Sequence, residues 1–316
     1  MKYLACFTIA ALAAGCVDQG DDGDSEVEQE ASTTYMNIVD FPGIDASEWY
    51  QAIRALDHQF DQECGDTFCE GDWTNIVPLT LSCSVSSKLG SVRDCVYTFA
   101  AVDAQVDTRN AAILVNAPTF HCPIKTKTTA KKLLALLSTA EDKLRAPLPG
   151  APSINEQLSD CFDNPIGATP GTPSTTGNEI YVSARDYYTS SAGLDRWYKA
   201  VTNLEAGFDR VCGDTFCSGD FGDLQAMDFT CSVTKSTGNI KSCAWTFGGS
   251  WHLVPTKGGL LDVHSSTFRC TVPVKGTLSQ LLATLTAPAM WDDEYLRRTL
   301  PGTTATAYDA LLGCLP

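Results

Sequence analysis

Six aspartates stand at matched places in the chain: Asp61, Asp66 and Asp72, and then, 148 residues further on, Asp209, Asp214 and Asp220. Carboxylate oxygens are the ligands that hard cations take, so these loops are a candidate calcium site, with Glu70 as an additional carboxylate in the first copy only. They lack the bidentate glutamate of an EF-hand loop, and Gly-Asp steps also serve as turns whose side chains cap the backbone. The expectation is therefore a chain without a cofactor, with calcium as the one cation the loops would take.

General-base chemistry has no shared residue. His58, His121, His252 and His264 face Ala206, Arg269, Ala104 and Asn116 at the same offset. No serine stands in a nucleophile elbow and no glycine loop cradles phosphate. This predicts a noncatalytic binding or interaction module, with a metal-dependent hydrolase using the Asp loops as one alternative and a purely structural surface module as the other. Trp49-Tyr50 and its copy Trp197-Tyr198 put an aromatic pair on a helix; the tryptophan anchors the core and the tyrosine, one position off the stripe, is left for the surface.

The elements that hold these residues are duplicated. Cys64-Gly65-Asp66-Thr67-Phe68-Cys69 recurs unchanged at Cys212-Gly213-Asp214-Thr215-Phe216-Cys217, and the same offset carries Cys83, Cys95 and Cys122 to Cys231, Cys243 and Cys270. With a small drift in spacing, Cys161 answers Cys314. Such self-similarity predicts two homologous tandem domains, residues 35–163 and 179–316, joined by a Pro/Gly/Thr-rich linker over 164–178. Of the 14 cysteines, six fall in each repeat, and an even set in an exported chain reads as three disulfides per domain.

Each repeat opens with an amphipathic helix, Trp49, Ile53, Leu56, Phe60 and Cys64 in the first, Trp197, Val201, Leu204, Phe208 and Cys212 in the second; Asp45 caps the first three residues before Glu48. A hairpin follows around a turn at Gly90. Setting Cys83 opposite Cys95 puts Leu79, Leu81, Val85, Tyr97 and Phe99 on the core face, with Met227 in the second copy, and turns Thr80, Ser82, Ser84 and Thr98 to solvent. A third strand near 111–125 and a helix with Leu133, Leu134 and Leu137 complete an α+β domain: helix, three-stranded antiparallel sheet, helix. Cys64 and both hairpin cysteines face one core, so the expected scheme staples Cys64 and Cys69 to Cys83 and Cys95 in an open order and joins Cys122 to Cys161. Local bridges, Cys64 to Cys69 and Cys83 to Cys95, are the alternative.

Residues 1–15 read as a secretory signal, with Lys2 and a short apolar run that is too short to span a membrane permanently. Its end, Leu12-Ala13-Ala14-Gly15-Cys16, resembles the lipobox of bacterial lipoproteins, with Ala13 where leucine is commonest. That resemblance implies acylation of Cys16, including palmitate, and a membrane contact through the N-terminal lipid. The tether over 16–34 carries seven acidic residues and no basic one, which keeps it extended. Val17 in place of aspartate removes the inner-membrane retention signal, so the outer membrane is expected, on its periplasmic or surface face. The net charge of -16 excludes nucleic acid as a partner and leaves a protein or glycan. The Cys-Gly-Asp-Thr-Phe-Cys-x-Gly-Asp frame resembles exported proteins of bacteria with complex envelopes and brings no activity with it. The helix and meander are loosely similar to cystatin-like inhibitors, whose Gln-x-Val-x-Gly loop is missing here.

Overall fold

The computed structural model describes residues 33–64, 73–162, 165–167, 180–217 and 221–316. The signal, Cys16, the tether through residue 32, the side chain of Cys64, Cys69 and most of the expected linker lie outside them. Strand β1 (Tyr35–Asn37) leads into helix α1 (Ala46–Cys64), which Asp45 starts by accepting the Ser47 and Glu48 amides at 2.8 and 3.3 Å. Trp49, Ile53, Leu56 and Phe60 form the buried stripe of α1, as their spacing requires. Strands β2 (Asn75–Ser86), β3 (Val92–Val106), β4 (Ile113–Asn116) and β5 (Thr119–Pro123) follow, then α2 (Ala130–Thr139) and α3 (Ile154–Cys161).

The second half runs β6 (Tyr181–Ser183), α4 (Ala184–Tyr187), α5 (Ser191–Val211), β7 (Gln225–Thr234), β8 (Ile240–Leu253), β9 (Asp262–Val272), α6 (Leu278–Thr286), α7 (Glu294–Arg297) and α8 (Ala307–Leu312). Mixed helix and antiparallel sheet make this an α+β chain. The three-stranded expectation is corrected: the first sheet has five strands, because the third expected strand is divided into β4 and β5, both paired with β3, and the second has four; each gains an edge strand, β1 against β2 and β6 against β7. The two cover the hairpin edges that would otherwise stand open.

Five disulfides are formed among the described residues: Cys83–Cys95, Cys122–Cys161, Cys212–Cys217, Cys231–Cys243 and Cys270–Cys314. The stapling of the first cysteine pair to the hairpin is corrected. Cys83 and Cys95 sit directly opposite in the ladder, 4.1 Å apart at Cα, and their copies do the same, so each hairpin pair closes on itself. Proximity in register outweighs a shared core face. The bridge from Cys122 to Cys161 is as expected.

The hairpin's hydroxyl face is also corrected. Ser82, Ser84 and Thr98 are at most 4% exposed, and so are Ser232 and Thr246 in the second sheet. The two sheets lie face to face through these residues, with the helices of each half on the outside, so the polar faces cover each other. Buried hydroxyls need partners, and many find them across the junction. Ser84 donates to the Gly259 carbonyl, Thr267 to the Ala117 carbonyl at 2.8 Å and Ser242 to the Ala111 carbonyl at 3.2 Å.

At the centre of the junction is an apolar plug of Leu79, Ala100, Val102 and Met227. Leu79 and Met227 belong to the helix-facing set by strict alternation. A register shift between Pro78 and Thr80, and another between Ala226 and Asp228, turns both to the other face. Gly248 faces the plug: a Cβ there would stand 2.5 Å from the Ala100 Cβ.

Candidate functional site

A cleft of about 750 Å³ opens where the second half's helix α5 and strand β7 meet the first half's β2 and β3. Helix α5 presents Tyr198, Thr202 and Glu205 to it at four- and three-residue spacing, the neighbouring line to the buried Trp197, Leu204 and Phe208. Strand β7 adds Asp228 and Thr230, α4 adds Arg185, and the first half contributes Asn75 and Asp103. The Asn75 side-chain amide donates to the Met227 carbonyl at 2.9 Å and ties the floor of the cleft to β7.

The carboxyls differ in how they are held. Asp228 accepts the Thr230 hydroxyl; burial raises its pKa, while that hydrogen bond and Arg185 pull it back. Glu205 has no hydrogen-bonding or ion-pair partner among the described residues. Burial, with Asp209 and Asp228 nearby, pushes it up to about 7. At neutral pH it is divided between acid and carboxylate, able to donate or accept.

The first half shows what Glu205 lacks. Its counterpart Asp57 accepts the Tyr97 hydroxyl at 2.5 Å, and burial also raises Asp57 to about 7. Trp245 stands in place of Tyr97, and its Nε1 is buried without an acceptor. One half therefore spends its helix carboxyl on a core hydroxyl, and the other leaves it facing the cleft. Asp228 likewise replaces Thr80. Those three changes between repeats were the signal in the sequence for this site.

The expected metal loops give no assembled site. Asp61 and Asp209 lie on the solvent side of α1 and α5, where neighbouring protein takes away part of their hydration and raises their pKa values. Asp66, Asp72 and Asp220, and the side chain of Asp214, lie outside the described residues. Among the described residues no three histidine, cysteine or acidic side chains gather as a metal centre. Tyr50 and Tyr198 are both half exposed, as their positions off the stripe predict.

One hydroxyl–imidazole contact invites a nucleophilic reading. His252 reaches across the junction with Nδ1 2.8 Å from the Ser82 hydroxyl and Nε2 2.9 Å from the Asn37 side-chain nitrogen. Asn37 Oδ1 is occupied by the Val39 amide at 3.2 Å, so its NH₂ group must be the one facing His252. Nε2 therefore carries the lone pair and Nδ1 the proton, which it donates to Ser82. The imidazole is a donor to that hydroxyl and not a base for it. His121 likewise donates to Ser265, whose own proton goes to Thr119.

No family model, curated protein or solved structure matches the chain. The bridges place it in an oxidising, extracytoplasmic compartment. No helix among the described residues is long and apolar enough to cross a membrane.

Proposed function

We propose that this chain is a noncatalytic lipoprotein of the bacterial cell envelope, held at the outer membrane by acylated Cys16 and the acidic tether, and that its two homologous tandem domains take a glycan between them. The observation that carries the reading is Glu205, a partly buried carboxyl without a partner among the described residues, in the same cleft as the half-exposed ring of Tyr198. An aromatic face takes the CH face of a sugar ring, and Glu205, Asp228 and Arg185 offer the directed hydrogen bonds that hydroxyls require. Nothing in the cleft sets up a nucleophile, which favours binding over turnover.

The test is titration of the mature, unacylated protein with peptidoglycan and lipopolysaccharide oligosaccharides, read by calorimetry and by Trp197 fluorescence. Saturable binding that Tyr198→Ala abolishes and Glu205→Gln weakens is expected, with no new reducing ends. Absence of binding to any envelope glycan, or cleavage of one, overturns the reading. Radiolabelled palmitate should enter the wild-type chain and not Cys16→Ser.

A further inference from the structure

The junction between the halves contains a histidine whose hydrogen bonds allow only its neutral form. We propose that His252 is an acid-released clasp, fastening β8 of the second half to β1 and β2 of the first while neutral and letting Asn37 go when protonated.

The argument is one of donor and acceptor count. Neutral His252 accepts from Asn37 at Nε2 and donates to Ser82 at Nδ1. A second proton on Nε2 sets N–H against the Asn37 NH₂ group. Turning the Asn37 amide over would bring Oδ1 to the imidazolium but would face its NH₂ to the Val39 amide, another donor. Neither orientation satisfies all three groups, and an unmet donor in a half-buried site is costly. His121, the other histidine that crosses the junction, already donates from Nε2 and keeps that bond in either state. The clasp is thus confined to His252.

Among the described residues no neighbouring charge compensates the imidazolium. Strand β2 carries no ionisable side chain but its bridged cysteine, and β1 carries only Tyr35, with Asp40 in the turn after it. Asp262 and His264 on β9 pair with each other at 3.2 Å, and Asp94 on β3 accepts the Leu261 amide at 2.8 Å. Arg93 donates to the Gly258 carbonyl, and Asp223 accepts from Ser250 on the same strand as His252. Burial alone holds the His252 pKa below its ordinary value. The folded protein therefore loses this contact as the pH falls through that lowered value, and the loss follows from the bonds and not from the identity of the cleft's ligand.

Asn37→Asp inverts the design, because a carboxylate accepts from both the Val39 amide and the imidazolium. NMR titration of the histidine rings and hydrogen exchange of the Val39 amide, corrected for intrinsic chemistry, read the two halves of the claim. In the wild type, His252 should titrate below the ordinary histidine value of about 6.5, and Val39 should exchange about tenfold faster at pH 5 than at pH 7.5. In Asn37→Asp, His252 should titrate above that value and the pH effect on Val39 should shrink to less than about twofold. His252→Gln, neutral throughout, should show no acid loss. A wild-type His252 that titrates at or above the ordinary histidine value of about 6.5, or a Val39 pH effect unchanged in both variants, overturns the proposal.

Discussion

Gly248→Ala tests the packing of the two sheets at its tightest point. A β-carbon there would lie 2.5 Å from the Ala100 Cβ and 3.1 Å from the Met227 sulfur. Met227 is flexible and can turn away; Ala100 is a stub on its own strand and cannot, so relief requires the sheets to part by about 1 Å against the contact distance of two carbons. Overpacking of this kind costs about 1–3 kcal/mol, and removing a strand glycine returns about 0.5–1 kcal/mol, which leaves a net loss of about 0.5–2 kcal/mol. Ala100→Gly alone should cost about 0.5–1 kcal/mol and open the space. In urea denaturation with bridges intact, the double variant gains at position 248 about what it loses at position 100, so it should fall close to the wild type and not at the sum of the two losses, a coupling of about 1–3 kcal/mol. Additive losses, or a neutral Gly248→Ala, would refute face-to-face packing at these residues.

Two further outcomes follow from features already described. Asp57 titrates near 7 in the fold and near 4 when unfolded, so the protonated form is the one folding favours, and its contribution is present at low pH and lost as the pH rises through 7. Urea midpoints should fall from pH 6 to pH 8.5, and Asp57→Asn should flatten that fall, more completely with Glu205→Gln; a wild type equally stable at both pH values would contradict this. Cys122–Cys161 spans 39 residues and Cys83–Cys95 spans 12, so on the loop-entropy account removing the first pair by alanine substitution costs about 4 kcal/mol and the second about 3 kcal/mol. Equal losses, or the reverse order, would sink that account.

Much of the fold is readable from residue spacing. The stripes of α1 and α5, the register of Cys83 against Cys95 and the reach of Cys122 to Cys161 all come from patterns whose period matches one element. Two things escaped. A bulge shifts alternation by one residue without any mark in composition, so Leu79 and Met227 were assigned to the wrong face. A row of serines and threonines also satisfies water and a second such row equally well, and alternation says which face is apolar without saying what meets the other. The cleft is tertiary, yet the exchanges of Asp57 for Glu205, Tyr97 for Trp245 and Thr80 for Asp228 lay in view wherever the repeats were aligned. Identity between copies pointed to the scaffold, and the departures from identity pointed to the site.

The hydroxyl-rich junction has a consequence for biogenesis. In an exported chain the N-terminal half emerges first, and its sheet is exposed to the compartment until the second half has crossed. Had the junction been built of leucine and valine, the waiting sheet would offer a sticky surface to every other unfolded chain in the compartment. Ser82, Ser84 and Thr98 instead present a face that water can cover until the second sheet arrives, with Leu79, Ala100 and Val102 at its centre and Val77, Ala104, Val115 and Ala117 beside them as its apolar part. The half-finished protein is thereby kept from aggregating by the same side chains that later join its halves.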